Sequence, residues 1–197
     1  MNTFGFGYRK NNPDKSDELF VKKFDKDLCN NLIIDFKKFI SQENLRKVNK
    51  ISVSIGPANF NASRLIVVLA RTISQQINCP LNSFSSFEIM AKRIAANNNL
   101  KNKNSFWIYK KLKRKGFIAG KYKICQDEQQ NADLVIRETV LPKVIKELDS
   151  QKLFFETNYK DEKDLKELLD LSNINLLNES VNSWQKILPL YPISAIN

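Results

Sequence analysis

The 197-residue chain contains no histidine. That absence excludes a histidine general base, a Ser-His-Asp or Cys-His nucleophile system and the H-E-x-x-H metal helix. Any chemistry would have to run on carboxylates, lysines or a partner's residues. The three cysteines, Cys29, Cys79 and Cys125, are odd in number, widely spaced and without a C-x-x-C pair. They fit neither a disulfide framework nor a zinc site, and they read as reduced thiols. Glycine is scarce, with five residues in the chain, which bears on any loop meant to cradle a phosphate. No apolar run approaches the ~20 residues of a membrane-spanning helix. The opening "MNTFGFGYRKNN" lacks the apolar centre of a secretion signal. These absences predict a cytoplasmic protein with no membrane association, no metal and no cofactor. No carboxylate pair has a spacing that argues for acid–base work: Asp133 and Glu138 stand at the "LVIRE" run, and Glu88 reads as part of a helix cap.

What the chain does have is positive charge. Its 32 Lys and Arg against 21 Asp and Glu give +11, and the pI is near 9.5. Such an excess favours a polyanionic partner, because neutralising phosphates releases counterions. The 42% hydrophobic content is enough for one good-sized core or two small lobes. Leu28, Leu32, Phe36 and Phe39 or Ile40 recur at helical spacing, with Cys29 and Ile33 on a second flank, so a helix is expected over Asp25–Ile40. "KISVSI" alternates as a strand and stops at Gly56-Pro57. After a cap at Asn59 or Asn61, a helix over Ala62–Ile77 is apolar all round in its first half and must be covered on both sides. "SSFE" opens another helix, "FWIYKKLKRKGFIAGKYKI" reads as a basic hairpin turning near Lys115-Gly116, and "LPKVIKELDS" and "DEKDLKELLDLS" read as surface helices. Residues 1–20 are expected to form a short strand or a loose arm.

With these elements in order, the chain resembles a known family. "VSIGPANFNASRLIVVLARTISQQINCPLNSFSSFE" resembles the G-P-G-S-F-T-G-x-R segment, the helix after it and the I-P-L-x-x-x-S-S-L-E segment of TsaB (YeaZ-like) proteins. "KRKGFIAGKY" is similar to that family's R-R-G-x-x-x-G-x-Y stretch, and "LPLYP" to its terminal P-x-Y segment. The resemblance implies an α/β, actin-like (ASKHA) fold with two lobes of mixed sheets flanked by helices, divided here as 1–97 and a reduced 98–197. It also implies a non-catalytic subunit. Its partner would be TsaD, which transfers threonylcarbamoyl to the adenosine beside a tRNA anticodon, and the ATPase TsaE would join them. Whether the chain pairs with itself when the partner is absent stays open in the sequence.

In that family the pairing uses the first two helices of the N-terminal lobe. Here they carry Leu28, Leu32, Ile33 and Phe36, and Leu65, Ile66, Leu69 and Ile73, the same helices that periodicity marks as over-apolar. The phosphate loop keeps Gly56, Pro57, Phe60 and Arg64, but Ala58 and Ala62 replace its later glycines, and Asn59 and Asn61 its Ser and Thr. A methyl group at those positions disfavours positive φ and fills the space of an approaching phosphate, so the loop should serve as a structural elbow only. The family's opening Asp-Thr-Ser strand has no counterpart in "MNTFGFGYRKNN", so the lobe is expected to be N-terminally shortened, either because the true start lies upstream or because this lineage has lost the first hairpin. Lys113, Arg114 and Lys115 at the basic hairpin's tip are the expected tRNA contacts. A stand-alone basic RNA-binding module is the alternative function, and a peptidase-like or nucleotide-hydrolysing enzyme is a third class.

Overall fold

The alternation Phe4-Gly5-Phe6-Gly7 has the two-residue period of a strand. In the computed structural model it is strand β1, Asn2–Tyr8, paired antiparallel with β2, Glu18–Phe24. The structure describes residues 2–10, 16–24, 28–100, 105–113, 116–125, 135–174 and 184–192. One face of this hairpin carries Phe4, Phe6 and Phe20 and packs on helix α1, Leu28–Phe39, where Phe6 meets Phe36 edge-on at 5.3 Å and Phe39 at 5.7 Å. Lys22 on the same face reaches the buried Asp35 of α1 at 2.8 Å. The other face carries Gly5 and Gly7 and receives Leu165 and Leu169 of helix α5, Asp161–Ile174. A Cβ at Gly5 would stand 2.6 Å from Leu165 Cδ1 and 2.7 Å from the Phe20 carbonyl oxygen. Only glycine permits this close approach of helix to strand.

The short strand expected within residues 1–20 is β1, and an N-terminal hairpin is present where one alternative was its loss. Burial on both faces holds it together without the Asp-Thr-Ser residues. Arg9 fastens its loop end: Nε and Nη2 each donate to Asp17 at 2.7 Å, and Nη1 reaches Asp170 of α5 at 2.8 Å. The hydrogen bond from Arg9 holds the Asp17 carboxyl below the usual carboxylate range.

A short helix α2, Gln42–Arg46, capped by Ser41, leads to β3, Ile51–Ser54. Helix α3, Phe60–Ile77, then crosses over to β4, Leu81–Phe84, which pairs parallel with β3. A crossover helix is what a parallel pair requires. Val67 and Ala70 of α3 close on Val53 and Leu81 in a core that also holds Ile187. Helix α3 starts two residues before the expected Ala62 because Asn59, not Asn61, is its cap.

Helix α4, Ser86–Asn97, packs on a sheet of β5, Ser105–Lys111, β6, Phe117–Cys125, β7, Val135–Ile145, and β8, Phe154–Glu156, in the order β7-β6-β5-β8. Phe87, Met90 and Ile94 meet Phe106, Ile108, Tyr122 and Ile124 there. "LPKVI" was expected to open a surface helix and is instead the end of β7. Thr139, Val140, Val144 and Ile145 suit a strand, and Pro142 is tolerated because β7 lies at the edge of the described sheet.

The chain forms two compact units, one running to Phe84 and including Lys160–Pro189, the other comprising Ser85–Tyr159 and the stretch from Leu190. This division differs from the one expected at residue 97. The apolar face of α4 belongs to the four-stranded sheet, while α5 returns to the first hairpin. Among the described residues no helix is long and apolar enough to cross a membrane.

Candidate functional site

The loop before α3 is built for a sharp change of direction. Gly56 has φ of 100°, a region that only glycine enters easily, and both Gly56 and Pro57 are buried. At the helix start Asn59 Oδ1 accepts from the Ala62 N–H at 3.3 Å, and the Asn59 carbonyl accepts from Ser63 N–H at 2.9 Å. The amide that a bound phosphate would use is thus occupied by the chain's own side chain. The methyl of Ala62, 7% exposed, is packed with Phe4, Leu28 and Leu32. Asparagine and alanine here make a capped elbow rather than an open anion cradle.

The residues expected at a partner interface separate by burial. Leu28 and Leu32 are core residues, 4% and 3% exposed, and Leu65, Ile66 and Leu69 pack against the same cluster. Phe36 is engaged with Phe6, and Ile73 is half-buried. Ile33 is the exception at 55% exposure, and the adjoining Ile34, which periodicity did not single out, is 50% exposed. On α3 the outward line runs through Phe60 at 40%, the exposed Arg64 and Val68 at 50%, one helical turn apart. The unit that buries Leu28 and Leu32 therefore still presents bulky apolar side chains on the outer sides of both helices.

The basic hairpin forms as β5 and β6, with Lys113 exposed at its turn. Arg114 and Lys115 lie outside the described residues. The aromatics along it divide by register: Phe106 opposes Tyr122 and both are buried, while Trp107 opposes Lys121 and Tyr109 opposes Ala119 on the other face.

One cluster was not legible from spacing. Ser85, the cap of α4, accepts from Glu88 N–H at 3.0 Å and donates its hydroxyl to Glu138 Oε1 at 2.6 Å. Tyr122 donates to the same oxygen at 2.7 Å. Both hydroxyl protons are spent on Glu138, so the 3.3 Å approach of Ser85 to Tyr122 is a contact between acceptor sides. Burial pushes the Glu88 carboxyl up to about 7, with the charge of Glu138 adding to the effect. Burial also raises Glu138, while the two hydroxyl bonds restrain it. Ser85 and Tyr122 are 1% and 0% exposed, so no substrate reaches either hydroxyl. The cluster anchors α4 to the sheet. Its signal in the sequence is a carboxylate between Ile136 and Val140 in an alternating run, a position that reads correctly only once β7 is recognised as a strand.

No protein-family model matches the chain, and no curated protein is similar to it in sequence. Solved structures are similar in fold. A crystal structure of an uncharacterized protein with similarity to peptidase YEAZ, from Pseudomonas aeruginosa, superimposes with a TM-score of 0.69 at 11% identity, covering 97% of this chain and 94% of that one. YeaZ from Pseudomonas aeruginosa superimposes with a TM-score of 0.64 at 13% identity, covering 96% and 94%. At that identity the likeness is one of fold. This chain has the mixed α/β architecture of the YeaZ structures over nearly its whole length.

Proposed function

We propose that the protein is a cytoplasmic, non-catalytic scaffold subunit of the TsaB type with an actin-like fold. It pairs with a TsaD-like subunit, joined by a TsaE-like ATPase, in threonylcarbamoylation of the adenosine next to the tRNA anticodon, and it self-associates when that partner is absent. The observation that carries this reading is the outward apolar set on the first two long helices of a YeaZ-like fold: Ile33 and Ile34 on α1, and Phe60 and Val68 on α3. Two large apolar side chains, 40–55% exposed, on each helix cost solubility unless something covers them. Arg64, between Phe60 and Val68, offers a planar charged fork for a partner carboxylate at the rim.

Support also comes from what the elbow has given up. With Asn59 and Ala62 filling the helix start, the loop contributes shape to α3 rather than a nucleotide site. Reconstitution tests the reading. A TsaD-like and a TsaE-like protein from the same genome should transfer threonylcarbamoyl to tRNA only when this chain is added. Modification at the same rate without it contradicts the scaffold role.

A further inference from the structure

The sheet of the second unit has one face filled by α4 and another that carries a different composition. Residues paired across the strands share a face, so Trp107, Tyr109, Phe117 and Phe154 lie together on the side away from Phe106, Ile108 and Tyr122. Trp107 stacks on Phe154 at 5.7 Å, Tyr109 meets Phe154 at 6.2 Å, and Tyr109 meets Phe117 edge-on at 5.7 Å. All four rings are half-buried in the complete chain, not sealed.

The same register puts Lys111, Lys121, Lys123, Arg137 and Lys143 around those rings. Lys111, Lys123, Arg137 and Lys143 are exposed, and among the described residues no carboxylate pairs with any of the five. Glu156, opposite Tyr109, is the acidic residue of that strand face. Beside Trp107 a shallow depression of about 290 Å³ is lined by Ser105, Lys121, Gln151, Lys152 and Leu153. Lys152 is held there by Asp149 at 2.6 Å. An aromatic platform, the depression beside it and five cations without a carboxylate partner among the described residues form one continuous surface.

From this arrangement we infer that the open face of the four-stranded sheet binds single-stranded RNA. Unpaired bases stack on Trp107 and its neighbours, and Lys121, Lys123, Arg137 and Lys143 carry the backbone phosphates. Charge complementarity selects a polyanion, and the accessible rings select one whose bases are unpaired, since a duplex hides its π-faces. The Ser105 hydroxyl and the Gln151 amide at the depression are groups that can bond a ribose 2′-hydroxyl, which favours RNA over DNA. The surface lies on the second unit, whereas α1 and α3 lie on the first, so this inference does not rest on the proposed pairing.

The test uses the full chain alone and a fluorescein-labelled single-stranded RNA dodecamer followed by anisotropy. With about four phosphates contacted, affinity should fall on the order of 50-fold between 50 and 200 mM salt. Lys121→Glu with Lys123→Glu should weaken binding at least about tenfold, and Trp107→Leu by roughly 5- to 100-fold. In a Trp184→Phe background Trp107 is the remaining tryptophan, and RNA should quench its emission. That readout decides the matter even if the Trp107→Leu protein folds poorly. Absence of quenching, equal affinity for a duplex of the same length, or binding insensitive to the lysine changes would overturn the inference. Single-stranded DNA binding as tightly as RNA would overturn the assignment to RNA.

Discussion

Replacing Glu88 by Gln should make the protein more stable at pH 8 and leave it nearly unchanged at pH 5. The Glu88 carboxyl, in the first turn of α4, is pushed from 4.5 up to about 7 by burial and by the charge of Glu138. A folded-state value above the unfolded one means that the folded protein holds the proton more tightly. The corresponding stability is complete below about pH 4.5 and is lost as pH rises through 7. Two and a half units at about 1.4 kcal/mol each give a loss of about 3 kcal/mol by pH 8. Glutamine mimics the protonated form in size and neutrality, so that loss should disappear. For a chain of this length the difference corresponds to roughly 6–12 °C in Tm. Parallel thermal and urea melts of the two proteins at pH 5, 6, 7 and 8 would measure it, with the gap opening steadily as pH rises. Melts that stay parallel across the range would refute the reasoning, because they would mean that Glu88 ionises without cost where it stands.

Other expectations follow from the packing. Gly5→Ala should destabilise the first unit by about 1–3 kcal/mol, since the new Cβ meets both Leu165 and the Phe20 carbonyl oxygen; the urea midpoint reports it. Asn59→Ala should cost about 1 kcal/mol by freeing the Ala62 amide, and if it also leaves ATP affinity unchanged, the elbow has no nucleotide to lose. Ile33→Asp and Val68→Asp should each change stability by less than about 0.5 kcal/mol, as exposed sites do, while Leu32→Asp, 3% exposed, should unfold the unit. Circular dichroism separates these cases, and only the first two variants remain informative about pairing.

The parts of the fold that were legible in sequence are those with strong local signals. The alternation of Ile51, Val53 and Ile55, the helical spacing after Asn59 and the opening "SSFE" each correspond to an element in place, with Ser85 of the two serines as the cap. One open reading and one misreading have a common physical origin. Gly5 and Gly7 look like weak strand residues until α5, some 160 residues later, comes to lie against them. The run ending at Ile145 looks helical until β6 offers it a partner edge. Non-local pairing overrides local preference in both cases. Burial was the harder quantity for the candidate interface. Periodicity groups Leu28 and Leu32 with Ile33, but only the packed hairpin decides that the first two face inward and the third outward. The Ser85–Glu138 bond joins residues 53 apart, a separation that no motif spacing reaches.

The central claim is that the outer sides of α1 and α3 meet a TsaD-like partner. The most direct measurement is size-exclusion chromatography with light scattering of this chain co-expressed with the TsaD-like protein of the same genome, as wild type and as the folded Ile33→Asp, Val68→Asp double variant. A one-to-one complex that dissociates in the double variant is the predicted result. Two separate peaks for the wild type, or a complex that the double variant leaves intact, would contradict it.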